Sequence, residues 1–401
     1  MTEFSLGWID FSKEQRNKVL NVINLLSEPE AIDELGIGVI RDGFSDIFFP
    51  GTSTIQTRAK YFLLVPYILN ELESTKGITA DKMVHMLHEQ ELDLIDVLKL
   101  SGETGVIGEN AGRKLKRKPS DIYWNGLKVF GIFKGGNISL NDYIRLACLL
   151  KNKKQTIRSL GSINTKDDDN DADDIDPSIS EYKEDFWNLP SLNIKWRNNL
   201  SIKLSKEEAE FLKKQIISSC PSSILGFALD KDYKDILEFS TFDEMEGMLN
   251  ILPESLKKDY LLARAFADFA YGIQIRYNII LSKGESEDIN TAWEKWHEDI
   301  AQYSSLDLAE ILLDRLRIRN SNLVKFLFAC RESMKTGDID KLDQLIIMRE
   351  RKLKGDTRSK LYNVDEFNYK GWVGLGKLQY RFKNGKTIIK DIFDGLGDQN
   401  A

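Results

Sequence analysis

The chain has 401 residues, more than one ordinary hydrophobic core holds, which predicts two or three domains. Its 42% hydrophobic and 30% charged residues are the composition of a soluble globular protein. A formal charge of −7 excludes a wholly basic nucleic-acid binder, so any surface of that kind must be local.

Eight prolines are few for this length, and helical periodicity dominates over alternation, so the expected class is mainly α and multidomain. Met1–Ser5 carries no basic start and no apolar core follows, which argues against a secretory signal and for a cytoplasmic protein. The longest apolar run, Tyr61–Leu69, has nine residues and is interrupted by Pro66, whereas a bilayer-spanning helix needs about 20. No membrane contact is therefore expected. Cys148, Cys220 and Cys330 are far apart and set among apolar residues, and they read as reduced core thiols without zinc spacing.

In chain order, residues 1–100 read as an N-terminal helical domain. Ser12 and Gln15 make a capping box ahead of Val19, Val22, Ile23 and Leu26, and Pro29 closes that helix. Glycines 36, 38 and 43 follow, but their spacing is not G-x-G-x-x-G and no strand run leads into them, so they are not read as a nucleotide loop. Pro50-Gly51 then stops the preceding element, and Ser53 with Gln56 has capping-box spacing for a helix carrying Ile55, Ala59 and Phe62. Pro66 should kink or end that helix near Val65. Thr52, Ser53 and Arg58 at its start are candidate anion-binding residues, since a capped first turn points its amides outward. The competing reading is a core helix with Arg58 in a structural ion pair. Thr79–Leu100 is a further amphipathic helix or pair, with His85 and His88 too poorly spaced for a metal motif.

Residues 101–160 read as a basic, winged-helix-like module. A glycine-rich lead runs into Arg113, Lys114, Lys116, Arg117 and Lys118; the Walker spacing is absent. A short helix over 121–130, a hairpin around Gly135-Gly136-Asn137 and a helix from Ser139 to Leu150 supply the parts. Residues 112–160 hold twelve cations against two carboxylates, a net of +10. Such a segment suits phosphate contact, or equally a solvated basic face. An acidic linker over 161–180 follows, with a net of −8 across 165–185; it can lie back over the basic block as a phosphate mimic or simply remain solvated.

A second helical domain is expected over 181–335. Ser205 and Glu208 cap one helix, a long core helix spans Leu256–Leu281 with Arg264 and Asp268 paired, and Trp293 and Trp296 pack beyond it. Residues 336–401 read as a small basic α+β C-terminal module. Its helix has Arg349, Arg351, Lys352 and Lys354 opposite Leu342, Leu345, Ile346 and Leu353, and Leu378–Lys383 with Asn384-Gly385 forms a strand and turn. The net charge over 341–390 is +8, with Tyr369, Trp372 and Tyr380 interleaved.

Several segments together resemble an uncharacterised bacterial family, a domain of unknown function often encoded beside helicases and nucleases in phage-defence-type gene clusters. They are residues 7–12 (GWIDFS), 33–38 (DELGIG), 49–58 (FPGTSTIQTR), 116–124 (KRKPSDIYW) and 349–355 (RERKLKG). The resemblance implies a cytoplasmic accessory protein of an antiviral system and transfers no catalytic residue. No nucleophile–base pair, carboxylate-pair motif or metal cluster stands out, so no catalytic group, metal or cofactor is assigned. The leading expectation is a non-enzymatic, nucleic-acid-associated accessory subunit acting on DNA beside a helicase or nuclease. Its phosphate contacts are Arg113, Lys114, Lys116, Arg117 and Lys118, with Arg349, Arg351 and Lys352 as a second patch. A protein-interaction scaffold is the alternative, and a cryptic enzyme the third reading.

Overall fold

The computed structural model describes residues 33–100, 102–163, 186–190, 196–197 and 200–397. The expected helix over 12–29, the 7–12 segment and the acidic linker lie outside the described residues. The described chain is mainly helical, and no helix in it is long and apolar enough to cross a membrane. Contacts group the chain into two compact units, one from Met1–Phe44 and Lys257–Gln379, the other from Ser45–Leu256 and Tyr380–Ala401.

In the unit built from 45–256 and 380–401, the centre is helix Tyr61–Ser74, buried at every position from Tyr61 to Leu69. It runs straight through Pro66 instead of ending there. A helix walled on all sides by apolar partners tolerates one missing amide donor. Helices Ala80–Lys99 and Pro119–Val129 pack on it, and Thr79 caps the first of them, Lys82 N donating to Thr79 Oγ1 at 3.4 Å. Helix Leu140–Ile163 extends well beyond Leu150, and its start is capped by Ser139, whose hydroxyl accepts from Asp142 N at 3.1 Å. Helix Lys206–Ser219 opens with the expected reciprocal Ser205–Glu208 capping box and lies against the closing helix Phe382–Gly397.

The stretch 53–60 is not the helix its capping-box spacing predicts. Ser53 N donates to Gln56 Oε1 at 3.2 Å and Gln56 N to Ser53 O at 3.2 Å, closing a turn, and the helix starts eight residues later at Tyr61. The reason lies in distant partners. The buried Tyr123 hydroxyl accepts from Thr57 N (3.0 Å) and Arg58 N (3.1 Å) and donates to Arg58 O (2.8 Å), which holds these amides in an extended path. Asn384 Nδ2 donates to Gln56 O at 2.8 Å, and Ala59 N donates to Asp391 Oδ2 at 2.8 Å.

Two strand expectations are also replaced. Ile132–Ile138 forms no hairpin; Phe133 makes one isolated antiparallel bridge to Trp187, because its ring belongs to an aromatic cluster with Trp124, Tyr143, Phe186 and Trp187. Residues 382–397 are helix, so Phe382–Gly385, expected to finish a strand and turn, form its first turn. Asn384-Gly385 serves packing there: a Cβ on Gly385 would sit 2.1 Å from the ring of the buried Phe49.

The other unit is organised on helix Glu254–Leu281, accompanied by Glu287–His297, Ser321–Thr336 and Ile339–Lys354. Asp33 caps the start of Gly38–Phe48, its carboxylate accepting from Ile37 N (2.9 Å) and Gly38 N (2.8 Å). Its glycines thus open an ordinary helix. Trp293 and Trp296 stack at 5.2 Å, and Trp296 Nε1 donates to Asp268 O at 2.8 Å, which makes the pair packing. The Asp268 carboxylate takes Lys377 at 2.7 Å. All three cysteines are buried free thiols.

Asp391 is 5% exposed and carries the 53–60 loop, so its removal leaves the partly buried Arg58 guanidinium without its counter-ion. Asp391→Ala is expected to destabilise the fold by about 3–5 kcal/mol in chemical denaturation, with Tyr123→Phe acting on the same loop less severely. A loss below about 1 kcal/mol, the scale of an exposed ion pair, would show that the loop is held elsewhere.

Candidate functional site

The basic turn lies between two helices that fix its ends. Helix Ala80–Lys99 presents Glu89, Glu91 and Asp93 toward it, and residues 112–114 form a short 3-10 turn. Arg113 forks across Glu89 and Asp93, with 2.9 Å to Asp93 Oδ1, and is neutralised. The Lys118 ammonium folds back to donate to Leu115 O. Beyond it, Pro119 occupies the first helical position of Pro119–Val129, where its missing amide costs nothing.

Ser120, in the first turn of that helix, is held by Glu91: its amide donates to Glu91 Oε1 and its hydroxyl to Glu91 Oε2 at 3.0 Å. Glu91 is 1% exposed, and burial pushes its carboxyl up to about 8 against the pull of both Ser120 donors. This carboxyl, which sequence periodicity places on a helix face without comment, is the buried post beneath the turn. What remains facing solvent is Lys114, Lys116 and Arg117, all exposed, with side chains free of any hydrogen bond or ion pair. Of five expected phosphate contacts in this segment, three are available.

The second expected patch is dismantled by packing. Arg349 is buried: its Nε donates to Leu35 O at 2.9 Å, its guanidinium lies 5.5 Å from the Phe326 ring, and burial lowers its pKa. Gly36, at φ +71°, has to lack a side chain there, since a Cβ would sit 2.8 Å from an Arg349 guanidinium nitrogen. Arg351 is held bidentately by Asp356 (2.6 and 2.9 Å) beneath the Tyr362 ring. Lys352 stays at the surface without a carboxylate partner, donating to Asn322 Oδ1 at 3.1 Å. The face assignment was wrong for a simple reason: Arg349 follows Ile346 by three positions and shares its buried side, while Leu353 is 44% exposed.

The anion candidates are also committed. The Thr52 hydroxyl donates to Phe49 O at 2.6 Å. Arg58 Nε donates to both Asp391 oxygens (2.9 and 3.0 Å), and its Nη1 to Thr104 O at 2.9 Å. Burial raises the Asp391 carboxyl against the pull of Arg58. Arg58 is therefore in a structural ion pair, the competing reading above, and the Ser53 hydroxyl is buried beside it without a hydrogen bond.

A polar centre that the sequence did not suggest joins the 33–38 and 349–355 segments. Glu34 (1% exposed) contacts Lys354 and Lys360, and Glu350 (0% exposed) accepts from Tyr277 (2.8 Å), Ser359 (2.7 Å), Leu361 N (2.8 Å) and Lys354 (3.1 Å). Two buried carboxylates meet two ammonium groups, and burial with Lys360 beside it pulls Lys354 down to about 8. The i,i+4 spacing of Glu350 and Lys354 was the available signal. Both oxygens of Glu350 are spent on protein donors, so the centre reads as a buried, charge-balanced clamp. Among the described residues no group of His, Cys, Asp and Glu is arranged to hold a metal.

The Asp33–Gly38 and Phe49–Arg58 segments and the basic turn thus fall into a common N-terminal stretch. Residues 3–147 match the model of a family of unknown function (DUF6361). The resemblance to an uncharacterised family of this kind holds over that stretch, while 349–355 lies beyond the DUF6361 match. No curated protein and no solved structure matches the chain. The DUF6361 stretch contains Arg58, Glu91 and the turn 112–118 and leaves Asp391, the partner of Arg58, outside it.

Glu91 gives a pH test of this geometry. A carboxyl held at about 8 in the folded state and near 4.5 when unfolded binds more protons when folded across that interval. Its contribution is whole below the unfolded value and is lost as pH rises to about 8. Glu91→Gln keeps both Ser120 contacts and cannot ionise. The variant is expected to gain on the order of 2–4 kcal/mol over the wild type between about pH 5 and pH 8.5. Parallel stability–pH curves for the two proteins would show that Glu91 is not the buried neutral post.

Proposed function

We propose that this protein is a non-catalytic accessory subunit that grips the phosphate backbone of nucleic acid, DNA foremost, through Lys114, Lys116 and Arg117. The observation that carries the reading is the contrast within one turn. Arg113 and Lys118 are consumed in fixing it, whereas the three cations between and beside them have no protein partner. Ordering such a turn in advance lowers the entropy cost of engaging a polyanion. Cations without a carboxylate partner keep their full attraction for phosphate.

Helix Pro119–Val129 follows the turn and is read as the element whose amino end approaches the duplex, the place a winged-helix arrangement gives to a short helix. The phosphate contacts position the protein and carry no base specificity. The family resemblance supplies the setting: a cytoplasmic bacterial antiviral system with a helicase or nuclease as the catalytic partner.

Charge reversal separates this from a scaffold that uses the same turn on an acidic protein. The triple variant Lys114→Glu, Lys116→Glu, Arg117→Glu is expected to bind duplex more weakly, and with a shallower salt dependence, in fluorescence anisotropy. Three lost phosphate contacts should remove about 2.7 from the slope of log affinity against log salt. Retained DNA affinity together with loss of the helicase or nuclease in pull-down would replace the nucleic-acid reading by the scaffold.

A further inference from the structure

Five cations and no carboxylate occupy residues 315–331, a run that periodicity reads as an interhelical loop and a helix. The structure divides them as it divides the basic turn. Arg315 is held by Asp259, and Arg331 by Glu332 (3.0 Å). Arg317, Arg319 and Lys325 are exposed, with no hydrogen bond or ion pair. Lys352, the surviving member of the expected C-terminal patch, reaches the same place, because its ammonium donates to Asn322 between Arg319 and Lys325.

The backbone at Arg317 is the second observation. The π-helical turn Glu310–Arg315 is closed by Leu316 N donating to Ile311 O (3.0 Å) and Ile318 N to Leu312 O (2.7 Å). Between those bonds Arg317 takes φ +51°. Left-handed residues that end a helix are ordinarily glycine, since a side chain there is strained. The other described positive-φ arginine, Arg381, is held by Asp46 (2.7 Å) and Thr52 O (2.9 Å). Arg317 has no such contact, so nothing in the fold repays its side chain.

We infer that Arg317, Arg319 and Lys325, with Lys352 beside them, form a second surface for the phosphate backbone of nucleic acid, in place of the 349–351 patch. The inference rests on the nucleic-acid reading and adds a contact on the other unit of the chain. It predicts a total of about six phosphates where the basic turn alone supplies about three, and so a salt slope near −5.4 instead of about −2.7.

The test measures anisotropy of a long random-sequence duplex over a salt series, with full-length protein. The wild type is expected to lose about 1000-fold in affinity between about 50 and 200 mM salt. Arg317→Gln, Arg319→Gln, Lys325→Gln is expected to lose only about 40-fold, as is the triple Glu variant of the basic turn. Arg317→Gly gives an internal control. Relief of the left-handed strain should raise Tm while affinity falls, a combination that a structural role cannot produce. A wild-type slope near −2.7 with the 317–325 variant unchanged would overturn this second surface and leave the basic turn standing. Absence of any wild-type binding to duplex, single strand or RNA would overturn both, and loss of partner capture without loss of DNA binding would assign the 317–325 surface to an acidic protein.

Discussion

The constraint on which the 45–256 and 380–401 unit depends is the seating of one irregular loop, residues 53–60, on the Asp391 carboxylate. An extended segment in a helical core has amides and carbonyls that no neighbouring turn can satisfy, and each buried one left unpaired is costly. Here the Tyr123 hydroxyl takes two amides and one carbonyl, Asn384 takes another carbonyl, and Asp391 takes the Ala59 amide with the Arg58 guanidinium. These partners come from helices more than sixty and more than three hundred residues away in the chain. The loop is thereby the point at which the start and the end of this unit are fixed to each other, and the adjoining helix can be apolar and buried from Tyr61 to Leu69 because its entry is held from outside.

The other unit solves a similar problem with charge. Glu34 and Glu350 are buried carboxylates, and a single such group unpaired is far more expensive than the exposed ion pairs elsewhere on the surface. Lys354 bridges them, Lys360 contacts Glu34, and neutral donors complete Glu350. Balanced in this way the centre adds specificity of packing: the 33–38 segment can meet the 349–355 helix turn in one register, with Gly36 under Arg349 and the Leu35 carbonyl on its Nε. Two segments read from sequence as separate marks of a family resemblance are, within this unit, two halves of one contact.

Elements governed by neighbours in sequence were legible. Ser139 and Ser205 cap the helices their spacing implied, and the long apolar period over 256–281 lies whole within helix Glu254–Leu281. What failed depended on distant partners. Ser53 and Gln56 have the spacing of a cap, but Tyr123 draws the following amides away from a helix. Asn384-Gly385 has the composition of a hairpin turn, yet its glycine is there for the Phe49 ring. Phe133 alternates like a strand residue and is claimed by four other aromatic rings instead. Among the site residues, the exposure of Lys114, Lys116 and Arg117 was legible, while Arg317 and Arg319 lie outside both segments that the charge distribution marks as basic.

A window of positive sequence charge measures how many cations a segment owns, whereas attraction for a polyanion depends on how many are left after the fold has used its share. The fold uses arginine preferentially: the planar guanidinium of Arg58, Arg113, Arg315 and Arg351 each engages carboxylate oxygens in pairs, and that of Arg349 caps a carbonyl under an aromatic ring. Lysines, with a strongly hydrated point charge and a flexible stem, are more readily left at the surface. An exposed arginine without a side-chain partner is therefore the informative exception, as at Arg117, Arg145, Arg317 and Arg319. Arg117 lies on a turn braced by Glu91 in one unit, which also carries Arg145 on helix Leu140–Ile163, and Arg317 and Arg319 lie on a strained linker between two helices in the other. In both places the backbone bears a cost, a buried carboxyl in the first and a left-handed arginine in the second, that helical packing alone does not require.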